Sequence, residues 1–188
     1  MGSKTIGTSL FAAVLALALA TPATAGTTRS NVYRFADGSQ VAGAWSVLTT
    51  TDAGARMTLQ TSELPAGHSV SVWWIIFNAP QNCTHPEGGL RCGPGDLPPF
   101  GGDDSAVTSI AYAAGHVIGG SGQATFAGRL ATGDTKGAVF GPGLVNPTTA
   151  DIHLLVRDQG EKDPGSESRS FSACNPTCTI LQASPHEQ

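Results

Sequence analysis

Residues 68–78 read HSVSVWWIIFN, and this stretch decides the fold. In its first half Val70 and Val72 alternate with Ser69 and Ser71. That period of two puts every second side chain on one face of a strand. In its second half, residues 73–77, every position is apolar. A strand that is apolar on both faces is central in its sheet or lies under a covering segment. Trp73 and Trp74 must then point to opposite faces, one into a core and the other toward that cover.

Working outward, residues 31–36 (NVYRFA) form a short first strand ended by Asp37-Gly38. Residues 41–50 alternate, with Val41, Gly43, Trp45 and Val47 on one face. Residues 55–64 turn Met57 and Leu59 inward and Arg56, Thr58 and Gln60 outward, before the turn Leu64-Pro65-Ala66-Gly67. Residues 106–114 form the next strand. Residues 122–131 (GQATFAGRLA) place Ala124, Phe126, Gly128 and Leu130 on one face, with Gln123, Thr125, Ala127 and Arg129 on the other. Residues 150–157 (ADIHLLVR) turn Ile152, Leu154 and Val156 inward, opposite Asp151, His153, Leu155 and Arg157, and residues 178–183 (CTILQA) close the set. No window after residue 25 carries a 3.6-residue apolar period. About eight strands predict an all-β fold: an antiparallel β-sandwich with long Gly/Pro-rich loops, or in second place a closed barrel.

Composition agrees. The chain has 188 residues, 40% hydrophobic and 13% charged, with 24 Gly and 12 Pro. It is too apolar and too weakly charged for a disordered chain, and its Gly and Pro lack the three-residue period of collagen. Residues 1–25 read as a signal peptide: Lys4, then the apolar run LFAAVLALALA over residues 10–20, then Ala23-Thr24-Ala25 as a small-x-small cleavage site. An eleven-residue apolar run spans only about half a bilayer, and no later stretch is long enough to cross one. Residues 26–188 are then a single domain, secreted or periplasmic. Cleavage leaves nine basic and fourteen acidic residues, a net −5. No run of sequence clusters basic residues, which argues against nucleic acid or an anionic membrane as partner.

Export gives the four cysteines their meaning. Cys83, Cys92, Cys174 and Cys178 are an even set at close spacing and are read as disulfides. Of the three possible connectivities, local pairing (Cys83 with Cys92, Cys174 with Cys178) is the simplest. Residues 78–105, with six Gly and five Pro, form the longest loop. A clip at Cys83 and Cys92 would order it, and Leu90, Leu97 and Phe100 would let it cap the sheet. Residues 133–149 and 158–173 are further polar loops.

Motifs for chemistry are few. Gly119-Gly120-Ser121-Gly122-Gln123 resembles a nucleophile elbow but lacks its last Gly and a following helix, so it is read as a hairpin turn. There is no P-loop, dinucleotide fingerprint, H-E-x-x-H or EF-hand loop. Asp96, Asp103 and Asp104 have no diagnostic calcium spacing. Of the histidines, His85, His116 and His153 are the candidates for a metal or ligand site, which different strands would have to assemble. His153 shares a strand face with Asp151 and Arg157, and is read as a surface or hydrogen-bonded residue among solvated neighbours.

Several runs carry a resemblance. They are Leu64-Pro65-Ala66-Gly67-His68 leading into Val72-Trp73-Trp74-Ile75-Ile76-Phe77-Asn78, then Cys83-x-His85-Pro86, Ala114-Gly115-His116-Val117-Ile118-Gly119, Gly141-Pro142-Gly143-Leu144 and Ile152-His153-Leu154-Leu155-Val156-Arg157. Together they resemble a group of exported bacterial β proteins with no established activity, which implies export and a β fold. The opening at Leu64 and the Gly-x-Ala-x-Phe-x-Gly-x-Leu strand at 122–130 are similar to the CHRD-type domain of secreted proteins. The chain lacks that domain's paired His-x-His strand, and no ligand role is carried over. The expectation is an exported, non-catalytic β protein, binding or structural, that meets an unidentified extracellular or cell-surface ligand and uses no cofactor. The alternative is an enzyme or metal-binding protein with a histidine site beneath the 78–105 loop.

Overall fold

A computed structural model describes residues 26–162, 165, 171 and 177–188. The expected signal peptide and Cys174 lie outside the described residues, as does most of the 163–176 stretch. Nine strands follow in order: β1 (Gly26–Arg34), β2 (Gln40–Thr51), β3 (Gly54–Thr61), β4 (His68–Phe77), β5 (Thr108–Val117), β6 (Ala124–Ala131), β7 (Ala138–Phe140), β8 (Asp151–Glu161) and β9 (Thr179–His186). Among the described residues no helix is long and apolar enough to cross a membrane.

The all-β antiparallel expectation holds, but the layers arise differently from a sandwich of two sheets. All nine strands belong to one sheet, ordered β6-β3-β2-β1-β9-β8-β4-β5-β7. The weld is β9. It pairs with β8 along most of its length and reaches β1 through Tyr33↔Ala183 and Arg34↔Gln182. The sheet then curls into a half-barrel until β5 and β6 face each other across a seam. A Cβ on Gly128 of β6 would lie 3.3 Å from the Ala113 carbonyl oxygen of β5 and 3.3 Å from the Trp74 ring. The His116 ring meets the edge of Phe126 at 6.2 Å across the same seam. Curling one twisted sheet buries the same apolar faces that two stacked sheets would.

The concave face holds the main core. Val70, Val72, Trp74 and Ile76 of β4 pack with Ile152, Leu154 and Val156 of β8 and with Leu48, Met57, Leu59, Phe126 and Leu130 from the opposite side. Each follows the period-two reading except in β2. There the expected face of Val41, Gly43, Trp45 and Val47 breaks. Val41 is buried, but the next buried positions are Ala44, Ser46, Leu48 and Thr50, which leaves Trp45 and Val47 on the outside. Gly43 sits at φ 70°, and between the pairs Asn31↔Trp45 and Tyr33↔Gln40 the register slips. Residues are added on β2 at this bulge, which reverses every later side chain. Glycine tolerates the left-handed backbone that the bulge needs.

The convex face of β4 is covered, as its doubly apolar sequence requires. Ile75 and Phe77 pack with Cys92, Leu97 and Ala106, flanked by Trp73, Ile110 and Leu155. The cover is the 78–105 loop, held by a Cys83–Cys92 disulfide with Cα atoms 5.3 Å apart. Closing a ten-residue loop in this way restricts the unfolded chain by roughly 2–3 kcal/mol. Of its three expected anchors only Leu97 is buried; Leu90 is half-exposed and Phe100 is 61% exposed. The strand expected from residue 106 starts at Thr108, because Val107 turns through φ 50°. The polar 133–149 stretch contains the short edge strand β7.

Candidate functional site

The seam leaves the half-barrel open at one end. There the β2 bulge, the ends of β3 and β6, the turn after β5 and His116 surround a depression of about 700 Å³. Its walls are Gln60, Thr61, Ser62, Ser121, Gln123 and Thr125, with backbone and methyl groups of residues 42–44, Ala124 and the His116 ring. No carboxylate, lysine or arginine lines it. The surface offers uncharged hydrogen-bond donors and acceptors and one imidazole.

Buried groups fix these walls. Gln182 of β9, 2% exposed, accepts a hydrogen bond from Thr61 Oγ1 at 2.7 Å and donates one to the Ser62 carbonyl at 2.8 Å. The turn carrying Ser121 is tied to residue 64 by a 3.0 Å bond from Leu64 N–H to the Gly122 carbonyl. Gly122 lies at φ 66°, and a Cβ there would stand 2.9 Å from the Leu64 carbonyl oxygen. The mouth is therefore shaped before any ligand arrives, which lowers the ordering cost of binding.

The three candidate histidines do not share a site. His116 pairs across β4 with Val70, whose side chain is in the concave core, whereas His153 pairs with Ile75, which faces the covering loop. Five residues of β4 separate the two levels, roughly 17 Å at strand rise, and they lie on opposite faces. His85 lies in the loop itself. Its Nδ1 stands 3.3 Å from Asp96 Oδ1. Among the described residues the one group of three or more metal-type ligands comprises Cys83, Cys92 and Asp96, and its two sulfurs are already joined as a disulfide.

Asp96 serves as an internal cap. Burial alone would raise its carboxyl, but the amides of Gly93, Thr84 and His85 donate to it at 3.0, 2.7 and 3.0 Å and hold it below the usual carboxylate range. Asp103 and Asp104 accept from the amides of Ser105 and Thr108, each at 3.0 Å. These carboxylates hold the loop together.

The solvated setting expected for His153 is corrected. The 78–105 loop folds over that face, so Asp151 is fully buried and the His153 Nε2 is sealed without a partner. Desolvation pushes the His153 pKa down to about 4, with the nearby Glu187 opposing it. Burial raises the Asp151 carboxyl, against the Gln188 amide at 2.9 Å and the Arg91 guanidinium, whose Nε is 3.4 Å from Oδ2. Arg91 also donates through its backbone amide to Glu187 and through its side chain to the Gln188 carbonyl. One loop residue thus joins the cover to β8 and to the segment after β9.

A row inside the barrel escaped the sequence reading. Gln182, Ser184 and His186 alternate along the concave face of β9. His186, 2% exposed, has Nε2 2.7 Å from Ser46 Oγ and Nδ1 2.7 Å from Thr28 Oγ1, and Ser46 Oγ lies 2.6 Å from Ser184 Oγ. A serine and histidine at this distance resemble a nucleophile and its base. Both are sealed, so the pair instead fills the wedge where β1 splays from β9. Desolvation, aided by His153, lowers the His186 pKa to about 4. The signal was the spacing of three polar residues at i, i+2 and i+4, which runs past the expected strand end at 183.

No family model, curated protein or solved structure matches this chain. The reading of its function therefore rests on its own residues.

Proposed function

We propose that this chain is an exported, non-catalytic binding protein whose open mouth takes an uncharged, hydroxyl-rich ligand. The observation that carries this reading is the lining of the mouth: amide and hydroxyl side chains, with Thr61 and Ser62 tied to buried Gln182, beside the His116 imidazole and with no carboxylate, lysine or arginine. Such a surface matches hydroxyls without a desolvated charge to offset. The non-catalytic part is supported by where the acid–base groups lie. His186 with Ser46 is sealed inside the barrel, Asp151 is fully buried, and the Nε2 of half-buried His153 is closed off from solvent. His85 is held against a structural carboxylate. Export is supported by the Cys83–Cys92 disulfide, which fits an oxidising compartment.

The test is calorimetric titration with short neutral oligosaccharides such as cellotriose and chitotriose, repeated on His116→Ala and Gln123→Ala. Binding weakened about tenfold by either substitution supports the reading. Binding untouched by both, or hydrolysis of the oligosaccharide by the purified protein, overturns it.

A further inference from the structure

The convex face of β1, β2, β3 and β6 has an unusual charge. These four strands carry no Asp or Glu along their whole length, in a chain whose net charge is −4. Their outward positions bring together Arg29, Arg56 and Arg129, all exposed. Arg56 and Arg129 are direct cross-strand partners. Like charges placed opposite each other in an antiparallel pair weaken the sheet, and nothing in the packing needs them there.

Two other arginines behave otherwise. Arg34 is paired with Glu63, and Arg91 with Asp151. Among the described residues neither Arg56 nor Arg129 has an ion pair. Arg29 stacks its guanidinium over the Trp45 ring, 4.7 Å from the centroid. Strand spacing puts the Arg56 and Arg129 backbones about 5 Å apart, and Arg29 two strands across and one row along, about 12 Å away. A local rule broken without a structural gain points to a role outside folding.

We propose that this face docks an acidic polysaccharide. Arg56 and Arg129 would clamp one carboxylate or sulfate through their forked donors. Arg29 would meet a second charge further along the same chain. Thr58, which shares the row of Arg29 through Val47, offers a hydrogen bond to a sugar hydroxyl between the two charges. The face is an open sheet, suited to a linear polymer lying across strands. Three guanidinium groups are too few for the six to ten phosphate contacts of a typical duplex-binding surface. Choosing a glycan over a nucleic acid also rests on the exported reading. The mouth begins further along β3 and β6, at Gln60 and Thr125, and a different probe reads it.

The experiment is biolayer interferometry of the purified protein on immobilised polygalacturonate and dextran sulfate. Neutral dextran, duplex DNA and phosphatidylglycerol vesicles are the other arms, and the variants are Arg56→Gln/Arg129→Gln and Arg29→Gln. The expected result is salt-sensitive binding to the two acidic polysaccharides, none to neutral dextran, and a loss of at least tenfold in the double variant. The urea midpoint of that variant should equal or exceed the parent's, because a repulsive pair is relieved. Retained binding in the double variant, or equal binding to neutral dextran, overturns the assignment of these arginines. Tighter binding to DNA or vesicles than to either polysaccharide overturns the glycan, and with DNA it also counts against export. No binding in any arm overturns the proposal outright.

Discussion

Acid should loosen this protein well above the pH at which ordinary carboxylates titrate, and two histidines set the size of the effect. His153 and His186 sit at about 4 in the folded state, against 6.5 for an unperturbed imidazole, both held down first by desolvation. Between those values the unfolded chain binds a proton at each position and the folded chain does not. Stability is therefore fully present above about pH 6.5 and is lost as pH falls toward 4. A shift of this size is worth roughly 3 kcal/mol for each group. Asp151 acts in the opposite sense, since its raised carboxyl is relieved by protonation. The lowered Asp96 and Asp103 lose their contribution only below the ordinary carboxylate value of 3.8. A net loss of about 3–5 kcal/mol from pH 7 to pH 4 follows, against a typical total of ~5–15. The His153 ring lies 5.2 Å from that of Phe77; Glu187 is the charged group that acts on it, and it acts in turn on His186. The assay is urea unfolding followed by tryptophan fluorescence at pH 7.5, 5.5 and 4.2, on the parent and on His153→Leu/His186→Gln. The parent midpoint should fall steadily and the double variant's slope should be largely gone. A parent midpoint that does not move between pH 7.5 and 4.2 would refute the reasoning, as would a double variant with an undiminished slope.

Three further outcomes follow from the packing. Replacing the clip by Cys83→Ala/Cys92→Ala should lower stability by roughly 2–3 kcal/mol, and limited proteolysis should then cut within 78–105 while the sheet survives. Gly128→Val should cost about 1–3 kcal/mol, because its Cβ would stand 2.9 Å from the Met57 methyl and 3.3 Å from the Ala113 carbonyl, at the seam; thermal melts would show it. Asp96→Asn leaves one acceptor oxygen for amides that now share two, and should cost about 1–3 kcal/mol, seen as faster hydrogen exchange at Thr84, His85 and Gly93.

Period-two apolar patterning carried most of the fold. Residues 68–78, 122–131 and 150–157 fell on the expected faces because their inward residues pack in one core. The cover over β4 was legible too, since a run such as Trp73–Phe77 cannot leave either face in water. The bulge at Gly43 was not legible, because a positive φ leaves no mark in an alternation of apolar and polar letters. Nor was the single sheet, which depends on two residue pairs, Tyr33↔Ala183 and Arg34↔Gln182, joining distant parts of the chain. The site was harder still. The setting of His153 was misread because the loop that buries its face lies some fifty residues upstream. The mouth is built from five separate segments. Arg29, Arg56 and Arg129 are scattered in sequence and meet only through antiparallel register.

The central functional claim is that the polar mouth, and not the histidine beneath the loop, meets the ligand. Backbone amide chemical shifts recorded during titration with chitotriose test it most directly. The account predicts shifts concentrated at Gln60, Thr61, Ser121 and Gln123 and around His116, with residues 151–153 unmoved. Shifts centred on Asp151, His153 and Arg91, with the mouth silent, would contradict it.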